Sequence, residues 1–391
     1  MIRRLLIKTD KRCLHKLIYN LGFKGLRTII RFRKQSAKGN FFPAFQFISV
    51  TDNCNLSCQG CWVPGKKKNN IMAPETLDGI ISQSKKKGSY FFGILGGEPL
   101  LYKPLFEVLK KHDDCYFQVF TNGTLLTPHV AQGMRVLSNI TPLISFEGDE
   151  VAADIRRGGS RVYKRTMDAI LNSTRAGLVT GVAVSVCKSN FKYAMSDAFI
   201  KPLIRNGVAY LWYYIYRPMG EKSMPELCLS EEEIRKLRMF LVEGRKKYDI
   251  AILDSYWDDK GNGFCPAATG LSHHINAEGN VEPCPVIQFA CDNVKDKSLE
   301  EIYANSSFLN EFRKEIPART SGCIVMENPQ WLISYVKMHN ATDTSGRNNE
   351  AERLSEMAAV SSHGSVPKIR EKTWLYRFAK KRAFFGLGAY G

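Results

Sequence analysis

Residues 51–62 read TDNCNLSCQGCW: cysteines at 54, 58 and 61 in a C-x3-C-x2-C spacing, with Trp62 directly after them. The stretch follows AFQFISV (44–50), an apolar run of strand length and composition. Three clustered thiols are one short of the four that a structural zinc ion or a ferredoxin-type cluster takes. The next cysteine, Cys115, opens a later apolar run instead of ending one. A metal site with one position left to a small molecule is a mark of catalysis rather than of structure.

Outward from this stretch the chain alternates. Apolar, β-branched or aromatic runs recur at 44–50, 89–95, 115–121, 141–146, 179–187 and 208–216. Helical patterns lie between and after them at 73–87, 103–112, 127–138, 160–176, 195–206 and 230–247. The last opens with Ser230 and Glu233, a capping box. Strand-then-helix units in succession predict a parallel sheet in an α/β fold, an open partial barrel of six units. Ligands in such folds sit at the carboxyl ends of the strands. The cysteine loop, GGEP (96–99), TNGT (121–124) and EGD (147–149) each follow successive strands, so all four are expected at one mouth.

TDNCNLSCQGCW with GGEP downstream resembles the signature of the radical S-adenosylmethionine (radical SAM) superfamily. The resemblance implies a partial (β/α)6 barrel. It implies a [4Fe–4S] cluster on Cys54, Cys58 and Cys61 whose unique iron binds the amino and carboxylate groups of S-adenosyl-L-methionine. Reductive cleavage of that cofactor then gives a 5′-deoxyadenosyl radical, with an electron donor such as flavodoxin or ferredoxin. Carried over position by position, the cofactor-binding residues are Gly96, Gly97, Glu98, Pro99, Ser145 and Arg157. Glu98 is expected to accept from the methionine ammonium, and Arg157 either to pair with the carboxylate or to cap a helix. Ser185 and Asn190 are weaker candidates, with core or turn roles equally open, and Glu147 stands where the family usually has Asp. Gly60 replaces an often aromatic residue beside the adenine, which leaves Trp62 as the candidate for that contact.

Beyond residue 260 cysteines return at 265, 284, 291 and 323. HHINAEGNVEPC reads as a hairpin turning at 278–280, and a helix is expected over 298–316. Together they resemble the SPASM module, or its shorter form Twitch. This implies one auxiliary [4Fe–4S] cluster on Cys265, Cys284 and Cys323, joined by Cys291, with zinc as the rival metal. His273 and His274 read as hairpin residues, and Cys13, Cys115, Cys187 and Cys228 as small buried hydrophobes. Tyr214, Tyr216 and Arg217 are candidates for lining a substrate cavity.

The net charge of +18 is concentrated at the ends. Residues 1–40 hold twelve Lys/Arg against one Asp, and residues 361–391 hold seven against one Glu, leaving the body nearly neutral. Leu14, Leu17, Ile18 and Leu21, continued by Leu26, Ile29 and Ile30, form an apolar stripe among these cations. TWLYRFAKKRAFF (373–385) interleaves aromatics with cations, a composition suited to a lipid headgroup layer. The stripe could equally pack on the protein's own barrel, or the cations meet RNA phosphates.

The expected organisation is a basic amphipathic segment at 1–40, the barrel at 41–250 and the auxiliary module at 251–330. A linker at 331–366 and a basic aromatic tail at 367–391 complete it. With no stretch that reads as a secretory signal or a membrane span, a reducing cytoplasm is expected, with docking on the inner face of an anionic membrane. The favoured function is a radical SAM enzyme acting on a lipid or other membrane-presented substrate. One alternative is a maturase for a peptide or protein, although residues 1–40 are too short and basic for a winged-helix peptide-recognition domain. Another is a non-catalytic iron–sulfur or zinc protein that binds RNA; nucleic acid is not the expected partner.

Overall fold

The computed structural model describes residues 2–63 and 69–382. Strands β1 (Phe45–Ser49), β2 (Phe91–Leu95), β3 (Tyr116–Thr121), β4 (Ile140–Ser145), β5 (Gly181–Val186) and β6 (Tyr210–Ile215) are nearly continuous buried runs. Such runs belong to a parallel sheet covered on both faces. They pair in parallel and in chain order. Helices connect them, among them Pro74–Lys86, Pro128–Leu137, Val162–Arg175 and Asp197–Arg205. The helix Glu231–Lys247 carries the expected capping box, Ser230 with Glu233.

The sheet curls into a partial barrel. Gln118 Nε2 on β3 donates to the Tyr210 hydroxyl on β6 over 2.8 Å. In a flat sheet these strands would stand about 14 Å apart. The sheet is longer than the six expected strands. β7 (Ala251–Leu253) joins β6, and β8 (Ser272–Ile275) joins β1, both in parallel. β9 (Val281–Glu282) closes the outer hairpin against β8. β7 is too short to show a period. β8 is one arm of the expected hairpin, and its parallel pairing with β1 is what the hairpin pattern does not show.

Two expected surface segments are built into the fold. Residues 331–366, read as a linker, belong to packed structure. The helix Pro329–Met338, a strand pair Phe289–Ala290 with Thr342–Asp343, and the helix Glu350–Glu356 run through this region. The polar composition misleads because the polar groups find partners inside: buried Glu350 takes both Arg347, at 2.8 Å, and Arg353. The expected helix over 298–316 is two, Leu299–Asn305 and Ser307–Glu315, divided at the capping residue Ser306.

The amino-terminal segment packs on the barrel base, the end opposite the cysteine loop. It runs as helices Ile2–Lys8, Lys11–Lys16 and Gly25–Ser36, with a π-helical stretch Leu17–Lys24 between. Arg4 donates to the carbonyls of Val208 and Asp249, Asn20 to Cys115, and Thr28 to Gly88. Each acceptor lies just before a strand. Leu17 and Leu21 pack on the core and Ile29 is buried, whereas Ile18, Leu26 and Ile30 of the same stripe stay exposed.

The carboxyl-terminal tail is latched rather than loose. Buried Glu371 meets Arg238 at 2.8 Å, Arg245 and, at 3.7 Å, Lys380. Asp254 binds Lys380 at 2.8 Å and also Arg245. The helix Trp374–Arg382 is thereby fixed beside β7, where Tyr376 accepts from the Ile252 amide at 2.8 Å. The tail aromatics Phe384 and Phe385 lie outside the described residues. Removing the Glu371 carboxylate would leave three buried cations sharing Asp254 alone. Glu371→Ala is therefore expected to cost about 3–5 kcal/mol in urea unfolding. Lys372→Ala, which removes an exposed pair with Glu243, should cost at most about 1 kcal/mol.

Candidate active site

The loop after β1 leaves the sheet at Thr51 and returns at Ile71, where the two residues form a bridge. The Asp52 amide donates to Asn70 O at 2.9 Å and closes its base. Cys54, Cys58 and Cys61 stand half-buried on this loop. The loop has little apolar anchorage of its own and is held through its backbone. Gln59 N donates to Arg156 O at 2.9 Å, Gly60 N to Lys222 O at 2.7 Å, and Glu98 N to Asn53 O at 2.8 Å. Two glycines make the approach possible. A Cβ on Gly97 would lie 2.2 Å from Asn53 O, and one on Gly220 (φ +76°) 1.8 Å from Cys61 O.

The GGEP turn divides its labour differently from expectation. Gly96 and Gly97 are half-exposed at the mouth, whereas Glu98 and Pro99 are buried. The Glu98 carboxylate accepts from Thr121 Oγ1 at 2.7 Å, Asn122 N at 2.7 Å and Leu100 N at 3.1 Å. It ties the second loop to the third, and burial raises its pKa. It does not face the mouth as a free acceptor for an ammonium. Asn122, held in turn, offers Nδ2 to Cys54 Sγ at 3.8 Å.

Arg157 ends the helix Glu150–Arg157, which the sequence pattern did not reveal. Its guanidinium binds Glu147 and reaches Cys58 Sγ at 3.8 Å. It faces the thiols and does not cap the next helix. Glu147 is 4 % exposed and also meets Arg156 at 3.6 Å. Asn190 holds this corner by donating to Glu147 O at 2.7 Å and Ser185 O at 3.0 Å, so its part is structural.

Between the thiols and β6 lies a cavity of about 200 Å³. Cys58, Cys61, Trp62, Ser145, Arg157 and Ser185 line one part of it, and Tyr214, Tyr216, Arg217 and Val286 another. Trp62 sits edge-on to His274, with ring centroids 5.4 Å apart. Tyr216 supplies the aromatic surface missing at Gly60: a Cβ there would lie 2.3 Å from its ring. A glycine with φ +69° beside a tyrosine remote in sequence gives no local signal.

The second cysteine set is linked to this cavity through Arg217. Cys265, Cys284 and Cys323 are buried. Burial, then the neighbouring Cys323, pushes Cys265 up to about 11, and Cys284 is raised by burial, Cys265 and Cys323. Arg217 Nε donates to Cys323 Sγ at 3.3 Å, so one arginine touches both the cavity and the second set. Cys291 does not join these three. It is exposed, its thiol approaches His339 O at 3.5 Å, and its neighbour in charge is Asp292.

The donor chemistry fits iron–sulfur clusters at both places. Burial and neighbouring thiols push Cys61 up to about 12 and raise Cys54 also. Such thiols become thiolates when a metal supplies the compensating charge. The N–H groups of Asn122, Arg157 and Arg217 at the sulfurs are the outer contacts such a site uses.

Ser49, His274 and Glu282 line up at 2.7 and 2.6 Å in the order of a nucleophile, base and orienting acid. All three are at most 2 % exposed. They pin β8 and β9 to β1, and both histidines sit on the hairpin as expected.

Residues 48–191 match the radical SAM superfamily, and residues 265–324 match the iron–sulfur cluster-binding domain called SPASM. The chain is 39% identical over 259 residues to a probable GTP 3′,8-cyclase of Methanocaldococcus jannaschii, covering 61% of this chain and 83% of that protein. It is 22% identical over 296 residues to the AdoMet-dependent heme synthase of Nitratidesulfovibrio vulgaris, covering 68% and 80%. In fold it resembles Streptococcus suis SuiB bound to its precursor peptide SuiA, with TM-score 0.61, 15% identity, and coverage of 73% and 70%.

Gly97→Ala is expected to displace the Cys54 loop and lose the iron and sulfide of the first set while the second set keeps its share, measured after anaerobic reconstitution. Gly79→Ala, in a helix with open space around the new Cβ, should keep all the iron and gain about 0.5–1 kcal/mol.

Proposed function

Since the chain belongs to the radical SAM superfamily, we propose that Cys54, Cys58 and Cys61 hold its catalytic [4Fe–4S] cluster and that Cys265, Cys284 and Cys323 hold the auxiliary one. The protein is an enzyme whose cofactors are that cluster, S-adenosyl-L-methionine and an auxiliary iron–sulfur cluster, and it needs an external reductant. A cluster held by Cys54, Cys58 and Cys61 would supply the one-electron reduction of S-adenosyl-L-methionine on which the family's radical chemistry depends. The observation that carries the residue assignment is a cavity lined by Cys58 and Cys61 of the first set, one wall residue of which, Arg217, reaches Cys323 of the second.

The remaining side chains hold and orient. Arg157, fixed by Glu147, presents a cation beside Cys58 where a ligand carboxylate would approach. The half-exposed backbone of Gly96 and Gly97, rather than the Glu98 side chain, is what GGEP offers a ligand. Tyr216 and Trp62 provide flat apolar walls, and Ser145 and Ser185 polar ones.

For the substrate, a side chain of a peptide or protein fits best. A substrate of that kind can insert one side chain at the mouth beside Cys58 and Cys61 and keep its bulk outside. SuiB, with its precursor peptide, is a precedent for this mode in a similar fold. A lipid as substrate is less well supported, because the basic ends lie at the barrel base and the cysteine mouth opens at the other end. Those ends favour a second reading of their own: peripheral docking on an anionic membrane, since exposed apolar and basic side chains share that face. No described helix is long and apolar enough to cross a membrane.

Anaerobically reconstituted protein with dithionite and S-adenosylmethionine should yield 5′-deoxyadenosine, and Cys58→Ala should yield none. Cys323→Ala should lose the auxiliary iron, whereas Cys291→Ala should keep the iron of both clusters. An unchanged iron count in Cys323→Ala would overturn the auxiliary assignment.

A further inference from the structure

Beneath the barrel is a second cavity, of about 460 Å³, which the radical chemistry does not use. Its walls come from three parts of the chain: Leu17 and Leu21 of the amino-terminal segment, Phe91 and Trp212 of the sheet, and Leu375 and Phe378 of the last helix. Almost all of the lining is apolar, and its size is that of a small-molecule site. Protein interiors ordinarily pack to crystal density, with few voids larger than a water molecule. An apolar cavity stays dry and receives apolar ligands.

The rim is of opposite character. Arg33 Nη2 donates to Lys381 O at 2.5 Å, which brings the two basic ends together. Arg382 follows Phe378 by one helical turn and so shares its face. Burial and then Arg382 lower the pKa of Arg33, so like charges press on one another there. Among the described residues neither arginine has a carboxylate partner. On the two basic ends, Ile7, Ile18, Phe23, Ile30, Trp374 and Phe378 are each more than half exposed. Apolar side chains among unpaired cations match an anionic membrane surface.

We propose that the base cavity takes one acyl chain of an anionic phospholipid, whose headgroup is held by Arg33, Arg382 and their neighbours. The occupant follows from the pairing of a dry apolar chamber with a cationic rim. The site deepens the docking reading and is independent of the substrate. Because the chamber is shared by both ends of the chain and the sheet, a lipid chain there would join all three. Trp212 stacks on Tyr214 with centroids 5.6 Å apart, and Tyr214 lines the upper cavity, so a chain in the base would rest one ring away from the active-site wall.

The test uses full-length reconstituted protein and vesicles of phosphatidylcholine, with or without phosphatidylglycerol carrying brominated acyl chains. Trp374→Phe removes the exposed reporter and leaves Trp212 in the chamber. Flotation with the anionic vesicles and bromine quenching of Trp212 are both expected. Quenching should vanish when Trp212→Phe is added. It should vanish also in Ala379→Phe, which fills the chamber, with flotation and iron content retained. Ala251→Phe fills it from the sheet side and serves if Ala379→Phe does not fold. Arg33→Gln with Arg382→Gln should weaken partition about 25-fold, at roughly fivefold per basic residue. Flotation without quenching of Trp212 would overturn the acyl-chain site while leaving surface docking intact. Absence of flotation would overturn both. Quenching that appears only after residues 383–391 are deleted would assign the chamber to the chain's own terminus and likewise overturn the proposal.

Discussion

The structure of the mouth depends on backbone packed against backbone with no room for side chains. The loop carrying Cys54, Cys58 and Cys61 has no core of its own. It keeps its shape because the turn at Gly97 comes within van der Waals distance of Asn53 and the turn at Gly220 comes closer still to Cys61 O. At Gly97 the contact also fixes Asn53 O as the acceptor of the Glu98 amide. The Glu98 carboxylate supplies the remaining tie, joining the second loop to the third. The arrangement is rigid where a multi-iron ligand set needs precision, since ligands left on a free loop would have to be ordered at the moment of binding.

The six strands were legible because each is an apolar run bounded by turn residues, and the observed ends differ from the expected ones by at most two residues. The motifs were legible because a parallel sheet places every strand-following loop at one end. What escaped was non-local. β7 acquires strand character only beside β6, and the hairpin strand β8, expected as such, joins the sheet beside β1. Tyr216 fills the space beside Gly60 from a position far along the chain. The 331–366 segment looks like a linker because its composition is polar, and it is ordered because those polar groups satisfy one another. Cys291 fell into the second set by sequence spacing alone. In space it faces His339 rather than the other thiols.

The basic ends show the same limit from another side. Pattern alone could not separate a stripe packed on the barrel from one left at the surface, and the stripe divides between the two. Leu17, Leu21 and Ile29 turn inward, whereas Ile18, Leu26 and Ile30 turn outward. The tail's positive charge is likewise divided. Lys380 is consumed in the buried network with Asp254 and Glu371, and Lys381 and Arg382 remain at the surface. Counting cations overstates what the ends can offer a membrane, because a buried paired lysine contributes nothing to an outer potential.

The barrel's two ends therefore have separate chemistry and a shared wall. β6 contributes Tyr210 and Trp212 to the lower chamber and Tyr214 to the upper, which Tyr216, just past its end, also lines. Alternate residues of one strand face the lumen, so a displacement of this strand along its axis would be felt in both cavities at once. Its last residues lead directly into Arg217, which touches Cys323, and into the turn at Gly220, which presses on Cys61. Coupling between base and mouth needs no longer path than this single strand. It also requires that the strand have two positions close in energy, because a packed core transmits a shift only when it is bistable. The Trp212–Tyr214 stack and the Gln118–Tyr210 hydrogen bond are the contacts that such a shift would have to exchange.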